Sequence, residues 1–165
     1  MIMHASVISI SSSEVICDIR AAAWLDSETH PECNLHQRHE LADICEKDNI
    51  DRVWRVLGIC DSEIRIALRN LLIPDRLHHL DNDLDAPDTR TYVFKTRLPP
   101  HTTAFLKEKI HEYMVARVLA DRLAVLIPEA APVWESNARD AMSEITGAAT
   151  TACSPRPARR PLWPL

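Results

Sequence analysis

The chain has 165 residues, 46% of them hydrophobic and 26% charged, which is ordinary for one globular domain and excludes a wholly disordered chain. It contains only two glycines, too few for a glycine-rich phosphate loop or for the turns of a many-stranded sandwich. The net charge of −5 argues against general nucleic-acid binding, because phosphate contacts need a basic surface. The 11 prolines lie mostly between periodic segments, so we expect a mainly helical fold with rigid connections.

The first predicted elements are a strand and a helix. Residues 5–10 (ASVISI) alternate in character and are rich in β-branched side chains, which predicts a short strand. Ser11 and Glu14 have the spacing of a capping box and should open a helix that ends before Pro31. Its apolar positions at helical spacing are Val15, Ile16, Ile19, Ala23 and Trp24.

Two further helices are expected before residue 75. Asn34 is a plausible N-cap for the first, which places Leu35, Ala42 and Cys45 along one face. The second should start near Asp48 or Asn49 and end at Pro74. Its apolar stripe is the clearest in the sequence and consists of Ile50, Val53, Trp54, Leu57, Cys60, Ile64, Leu68 and Leu71.

Residues 75–90 are polar and aperiodic, which is typical of a long surface loop. Residues 91–98 alternate again and predict a second strand. We expect it to pair with residues 5–10 in a two-stranded antiparallel element, and the alternative is pairing with another subunit.

The longest predicted helix is capped by Thr102 or Thr103 and runs to Ile127. Its second half is apolar nearly all round, so we expect burial by the bundle, by a partner subunit or by both, and within it Arg117 and Asp121 have the spacing of an ion pair. The predicted oligomer interface consists of Val115, Val118, Leu119, Leu123 and Leu126.

A last helix has Pro132 in its first turn and Gly147 as its expected C-cap. Its apolar face consists of Trp134, Ala138, Ala141, Met142 and Ile145. The sequence thus predicts one helical domain over residues 1–147 and an extended arm over residues 148–165.

Four potential metal ligands recur at intervals of three: His30, Cys33, His36 and His39. Helix-borne zinc pairs more often have i, i+4 spacing, and HQRHE does not have the ligand order of a metalloprotease. We therefore predict no metal site and keep these residues only as weak candidates. A pH-sensitive or solvated histidine cluster is the favoured interpretation.

The acidic stretch that contains Asp81, Asp83 and Asp85 begins like a calcium-binding loop. Position six of that loop is Ala86 instead of glycine, and position twelve is Tyr92 instead of a bidentate glutamate. A solvated acidic loop is the favoured interpretation.

No residue indicates catalysis. The sequence lacks G-x-S-x-G, and Asp61 and Glu63 are two positions apart on a helix, where they do not face each other. We predict that the protein is not an enzyme and uses no cofactor. The five cysteines show no disulfide-framework pattern, so reduced thiols in an intracellular setting are expected. Cys17, Cys45 and Cys60 lie on or near apolar helical stripes, where a free thiol is usually buried.

The C-terminal arm alternates arginine with proline and ends in apolar residues. Prolines restrict an extended segment before it binds, and arginine and tryptophan are the residue types that anchor interfaces. The alternatives are a frayed terminus and a nucleic-acid contact. The predicted partner-binding residues are Arg156, Arg159, Arg160, Leu162, Trp163 and Leu165.

The block KEKIHEYMVARVLADRLAVLIPEAAPVWESNARDAM, together with the ending RRPLWPL, resembles small helical phage and prophage virion proteins of the head–tail connector or adaptor type. The resemblance covers residues 92–165 best and is carried by pattern rather than by a single motif. The resemblance implies a short helical bundle without catalytic residues, assembled into a ring whose extended arms hold neighbouring subunits. The fold predicted from the elements above is a four- to five-helix bundle with one short two-stranded antiparallel element. The long loop rich in histidine and aspartate departs from that pattern.

The functional prediction is a self-assembling virion protein, made in the host bacterial cytoplasm, near the head–tail junction. Its expected partners are copies of itself and portal or tail components, with DNA only as passing cargo, no membrane and no small-molecule substrate. One alternative is an intracellular helical binding or regulatory protein that is a monomer or dimer. A weaker alternative is a zinc-dependent enzyme that uses the cluster between residues 30 and 39.

Overall fold

The computed structural model describes residues 5–29, 34–46, 49–74 and 88–154. Within these ranges the fold is mainly helical with one two-stranded antiparallel sheet, which confirms the predicted class. The elements in chain order are β1 (Val7–Ser11), α1 (Ser12–Thr29), α2 (Leu35–Ala42), α3 (Ile50–Ala67), β2 (Thr89–Val93), α4 (Pro100–Leu126) and α5 (Ala131–Cys153).

The sheet pairs the beginning of the chain with its middle. Val7 lies opposite Val93, and Ser11 lies opposite Thr89. This confirms the predicted pairing of the two segments, although β2 begins and ends earlier than expected. Phe94 makes only an isolated bridge with Leu72, and the chain bends at the next two residues, so the strand does not reach residue 98.

Arg90 of β2 is a buried charged residue that joins the sheet to the helices. Its side chain is 5% exposed, and its Nη1 donates a hydrogen bond of 2.6 Å to Ser12 Oγ at the start of α1. The guanidinium also lies over the ring of Trp54 in α3, 5.9 Å from the ring centroid. A buried charge needs such partners, because desolvation otherwise disfavours the charged form.

The N-cap expected at Asn34 is confirmed. Gln37 N donates to Asn34 Oδ1 at 2.9 Å, and Asn34 N donates to Gln37 Oε1 at 3.0 Å, which completes a capping box at the start of α2. The face predicted for this helix is buried only at Cys45, because Leu35 is 74% exposed and Ala42 is also exposed. Leu41 is the residue that α2 buries.

The two longest helices have different ends from those predicted. α4 starts at Pro100, with Pro99 as N-cap, so the predicted caps Thr102 and Thr103 lie inside the helix. A proline in the first turn already has the backbone angle of a helix and lacks only an N–H that would be unpaired there. α5 continues through Gly147 to Cys153, so the predicted C-cap is wrong.

The core forms around α4, which packs against α1, α3, α5 and β1. α5 folds back along α4 as an antiparallel helix after a short turn. Gln37 Nε2 donates to the carbonyl of Leu126 at 2.8 Å, so the start of α2 lies at the C-terminal end of α4. Most of the α3 stripe is buried as predicted, including Val53, Leu57, Cys60, Ile64 and Leu68.

No helix among the described residues is long and apolar enough to cross a membrane.

Candidate binding groove

An open groove of about 500 Å³ lies between α1, α4 and α5. Its floor belongs to α4, one wall belongs to α1 and the other to α5. The lining residues are Asp18, Ala22, Lys109, His111, Glu112, Val115, Ala116, Trp134, Asn137, Asp140, Ala141 and Glu144.

Small apolar side chains form the bottom of the groove. Ala116 of α4, Ala22 of α1 and Ala141 of α5 reach only a short distance from their helices, so the space between the helices stays unfilled. Val115 and Trp134 add larger apolar surface, and Trp134 is only partly buried. Such a surface suits the apolar side chains of a bound segment, because their burial removes them from water.

Most of the ionisable side chains at the rim of the groove are carboxylates. Asp18, Glu112, Asp140 and Glu144 line the groove with one lysine and one histidine, which leaves an excess of three negative charges while the histidine is neutral. Asp140 is exposed and makes no ion pair with the part of the chain that the structure describes. The groove therefore has an acidic edge above an apolar floor.

One end of the groove is fixed by Lys109. Its Nζ lies 2.7 Å from Glu112 Oε2 and 3.0 Å from Glu144 Oε2, so the lysine links α4 to α5. Hydrogen bonds to these two carboxylates raise the pKa of Lys109 and keep its ammonium group charged.

α1 is held at two points. His111 Nε2 lies 2.7 Å from Asp18 Oδ2 in a hydrogen bond between α4 and α1. Trp134 Nε1 donates to Asp26 Oδ2 at 2.6 Å and joins α5 to α1 at the other end of the groove. The width of the groove is therefore set by polar links between all three helices, and the site is formed before any partner arrives.

One pair in the groove has the arrangement of a base and its orienting carboxylate. His111 Nε2 and Asp18 Oδ2 form that pair, and no serine, threonine or cysteine is among the described residues that line the groove. The lining therefore does not contain the hydroxyl or thiol of a triad built on such a pair.

On its opposite side α4 is linked to α3 by polar contacts, which border a second open cavity of about 480 Å³. The Tyr113 hydroxyl donates a short hydrogen bond to Glu63 Oε2, and Arg117 Nη2 lies 3.4 Å from Glu63 Oε1. Burial, followed by the hydrogen bond to Glu63, raises the pKa of Tyr113. The predicted pair between Arg117 and Asp121 is not formed, because Asp121 binds Arg52 of α3 at 2.8 Å instead.

The structure accounts for the five residues of the predicted oligomer interface without a partner. Val115, Val118, Leu119, Leu123 and Leu126 range from 0% to 9% exposed and belong to the monomer core. Their apolar character comes from the central position of α4. The apolar second half of α4, on which the interface prediction was based, is therefore explained by burial within one chain.

The histidine cluster is only partly described. His30 and Cys33 lie outside the described residues, while His36 and His39 are exposed on α2. His36 Nε2 lies 3.6 Å from Glu40 Oε1. Across the described ranges no group of three or more histidine, cysteine, aspartate or glutamate side chains is arranged to hold a metal ion. The acidic stretch with Asp81, Asp83 and Asp85 also lies outside those ranges.

The cysteines have different surroundings. Cys45 and Cys60 are buried, as their apolar neighbours in sequence suggested, and burial raises the pKa of the Cys60 thiol to about 12. Cys17 is exposed, which corrects the expected placement near the core, and Cys153 is partly buried.

The predicted arm residues (Arg156, Arg159, Arg160, Leu162, Trp163 and Leu165) lie outside the described residues. No pattern in the sequence reveals the groove, because residues far apart in the chain form its walls. Asp18 and His111, for example, are 93 residues apart. The only local signal was the spacing of Lys109 and Glu112, which suits an ion pair on one helix face.

No protein-family model, curated protein or solved structure matches this chain.

Proposed function

We propose that the chain is a non-catalytic, self-assembling structural protein whose groove between α1, α4 and α5 receives a segment of a partner protein. The observation that carries the proposal is the groove itself. It combines an acidic rim, an apolar floor and three polar links that fix its width. A preformed site of this kind loses little conformational entropy when a segment binds.

In its more specific form, the proposal is a phage- or prophage-type virion component of the connector or adaptor kind. Its support is the resemblance over residues 92–165, which includes the whole α4–α5 hairpin. An acidic protein with a net charge of −5 also suits a position beside DNA that must pass without being bound. Portal or tail components are then the further partners.

The test is a native mass spectrum of the purified, untagged chain, recorded at several concentrations and without chelator. We expect a closed oligomer of defined subunit number. A variant that ends after Ser154 should show fewer subunits or only monomer, and circular dichroism should establish that its helices are retained. A full-length chain that stays monomeric at every concentration would contradict the proposal.

A second candidate is a monomeric or dimeric binding protein whose groove holds a segment of a different protein. The same acidic rim and apolar floor favour it, since nothing in the groove restricts the partner to a copy of this chain. The same spectrum separates the two candidates by subunit number. It also weighs any bound metal, and a zinc-loaded monomer would support the third, enzymatic alternative.

A further inference from the structure

We propose that the groove between α1, α4 and α5 binds residues 155–165 of a second copy of this chain. The inference rests on the proposed self-assembly and names the two surfaces that would carry it. The occupant is a segment whose sequence is known, so its charge, length and reach can be compared with the groove.

The charges are complementary. Residues 155–165 contain three arginines and no aspartate or glutamate, while the groove lining has four carboxylates against one lysine. Arginine side chains bind carboxylates with paired hydrogen bonds, and the exposed Asp140 makes no ion pair with the described part of its own chain. Asp140 therefore remains available to an incoming arginine.

The apolar parts also match. The segment ends in Leu162, Trp163 and Leu165, which are side chains that gain most by leaving water. The floor of the groove presents alanines and a valine beside Trp134. Arg159 and Arg160 on the rim, with Leu162 and Trp163 on the floor, would use both surfaces of the groove at once.

The length of the groove suits an extended segment. Glu144 and Trp134 mark its two ends on α5 and are ten residues apart, which corresponds to about 15 Å along the helix axis. A proline-rich extended segment advances about 3.1 Å per residue, so about five residues fill that length. Residues 159–163, which include two of the arginines and the tryptophan, are enough.

The distance from the end of α5 back to the groove favours binding of the segment to the groove of a second copy instead of to the groove of its own chain. α5 runs away from the groove and ends at Cys153, nine residues beyond Glu144 and about 14 Å past the end of the groove. Ser154 is extended, with φ −66° and ψ 135°. A tight turn over Pro155 and Arg156 is disfavoured, because a residue before proline prefers extended backbone and Arg156 precedes Pro157.

A reversal after Pro157 would leave eight residues. They span about 25 Å at 3.1 Å per residue, while the return path is about 14 Å along α5 plus about 10 Å for the three residues already used. The segment of the same chain would then reach only the near end of the groove. The segment of a second copy does not have to return along α5, so its length does not prevent it from filling the whole groove.

The test uses two full-length charge-reversal variants. The groove variant carries Asp140→Arg, and the arm variant carries Arg159→Glu and Arg160→Glu. Each should weaken self-association about tenfold or more, because it replaces attraction with repulsion at one of the two surfaces. Asp51→Arg, on an exposed face of α3 outside the groove, is the matched control and should leave association within about twofold of the native chain.

Mixing the two variants gives the decisive result. A reversed groove accepts a reversed arm, and a native groove accepts a native arm, so an equal mixture should regain the native mass by light scattering if arms bind between copies. If each variant alone is impaired and only the chain carrying both changes is restored, the arm binds its own groove and the proposal is wrong.

Two other outcomes are informative. Native-like assembly of both variants would overturn the groove–arm contact while leaving self-assembly through another surface intact. A native chain that never assembles would overturn the proposed function together with this inference. Circular dichroism of each variant should match the native chain, since Asp140 is exposed and has no ion pair within the described ranges.

Discussion

The two sides of α4 carry polar side chains in different arrangements. Toward α3, charged and polar groups are matched one against another, as between Arg52 and Asp121 at 2.8 Å and between Arg122 and Asn49 at 2.6 Å. Toward α1 and α5, carboxylates outnumber cations and a groove of about 500 Å³ stays open. One helix therefore has one side whose polar groups are matched within the monomer and another side whose excess carboxylates are suited to a partner.

Side-chain size distinguishes the contacts on the two sides. Toward α3 the large side chains of Tyr113 and Arg117 extend to Glu63 and link α4 to α3. These three residues also line an open cavity of about 480 Å³ that α5 borders, so the helices are linked there without filling all the space. On the groove side Ala116 and Ala141 leave the distance between the helices empty, and the links at the ends of the groove keep the helices from closing over it.

The largest expected effect concerns the α4 residues that were predicted to bind a partner. Leu119→Ala should lower the free energy of unfolding of the monomer by about 2–5 kcal/mol, because Leu119 is fully buried and the substitution leaves a cavity. Urea denaturation followed by circular dichroism measures the loss. Val125→Ala on the same helix is the control and should change the free energy by less than about 0.5 kcal/mol, since Val125 is 62% exposed. A Leu119 variant with native stability but impaired assembly would return this residue to an interface.

The buried thiol of Cys60 in α3 should make the free energy of unfolding decrease at alkaline pH. The Cys60 thiol has an ordinary pKa of 9.0, and burial raises it to about 12 in the folded chain. Between these values the unfolded chain has lost this proton while the folded chain keeps it, so stability is full below pH 9 and falls as the pH rises. The contribution of Cys60 is about 1.4 kcal/mol for each pH unit in that window.

Urea denaturation at pH 8, 9, 10 and 11 gives the slope. Cys60→Ala should make the decrease in the free energy of unfolding shallower by about 1.4 kcal/mol per pH unit. Some decrease should remain in this variant, because the pKa values of Tyr92 and Tyr113 are also raised in the folded chain. The matched control is Cys17→Ala, since Cys17 is exposed. An equal slope in the Cys60 variant would show that the folded thiol is not held protonated.

A smaller difference in the free energy of unfolding is expected between two variants, each of which removes one polar contact on one side of α4. Tyr113→Phe removes the hydrogen bond to Glu63 from a buried ring and should lower the free energy of unfolding by about 1–2 kcal/mol. His111→Gln on the groove side should lower it by less than about 0.5 kcal/mol, because the partner Asp18 is 61% exposed. Thermal unfolding of the two variants ranks them, and the reverse order would show that the groove side carries the more stabilising contact.

A modest gain in stability is expected from replacing the two glycines. Gly147 lies inside α5 and Gly58 inside α3, and a Cβ added at either position meets no atom within 4 Å. Alanine at each should raise the free energy of unfolding by about 0.5–1 kcal/mol, since glycine weakens helix interiors. A destabilised Gly147→Ala variant in a thermal melt would indicate that the helix ends at Gly147, as its sequence first suggested.

Local sequence signals predicted much of the fold. The capping box at Asn34 and the stripe from Val53 to Leu68 depend on residues within a few turns of one another, so their pattern is visible along the chain. The end of α5 was not predicted, because Gly147 was interpreted as a cap. The alanine and threonine residues that follow it continue the helix and bury Ala149.

The candidate site could not be predicted in the same way. Whether the apolar second half of α4 faces its own bundle or another subunit depends on how many helices surround it, which no periodicity reveals. The pairs Asp18 with His111 and Asp26 with Trp134 join residues that are 93 and 108 positions apart. Such contacts follow from the packing of three helices and have no pattern within any one of them.

The contact between Arg90 and Ser12 has a consequence for the order in which the chain folds. These residues are 78 positions apart, and the pairing of β1 with β2 closes the same long loop. During synthesis β1, α1, α2 and α3 leave the ribosome before β2 and before α4, the helix that covers their apolar faces. The N-terminal half therefore has no complete core of its own until translation has passed Leu126. Nascent chains stalled before that point should be digested readily by protease, and those stalled well beyond it should resist, because folding waits for contacts that are distant in sequence.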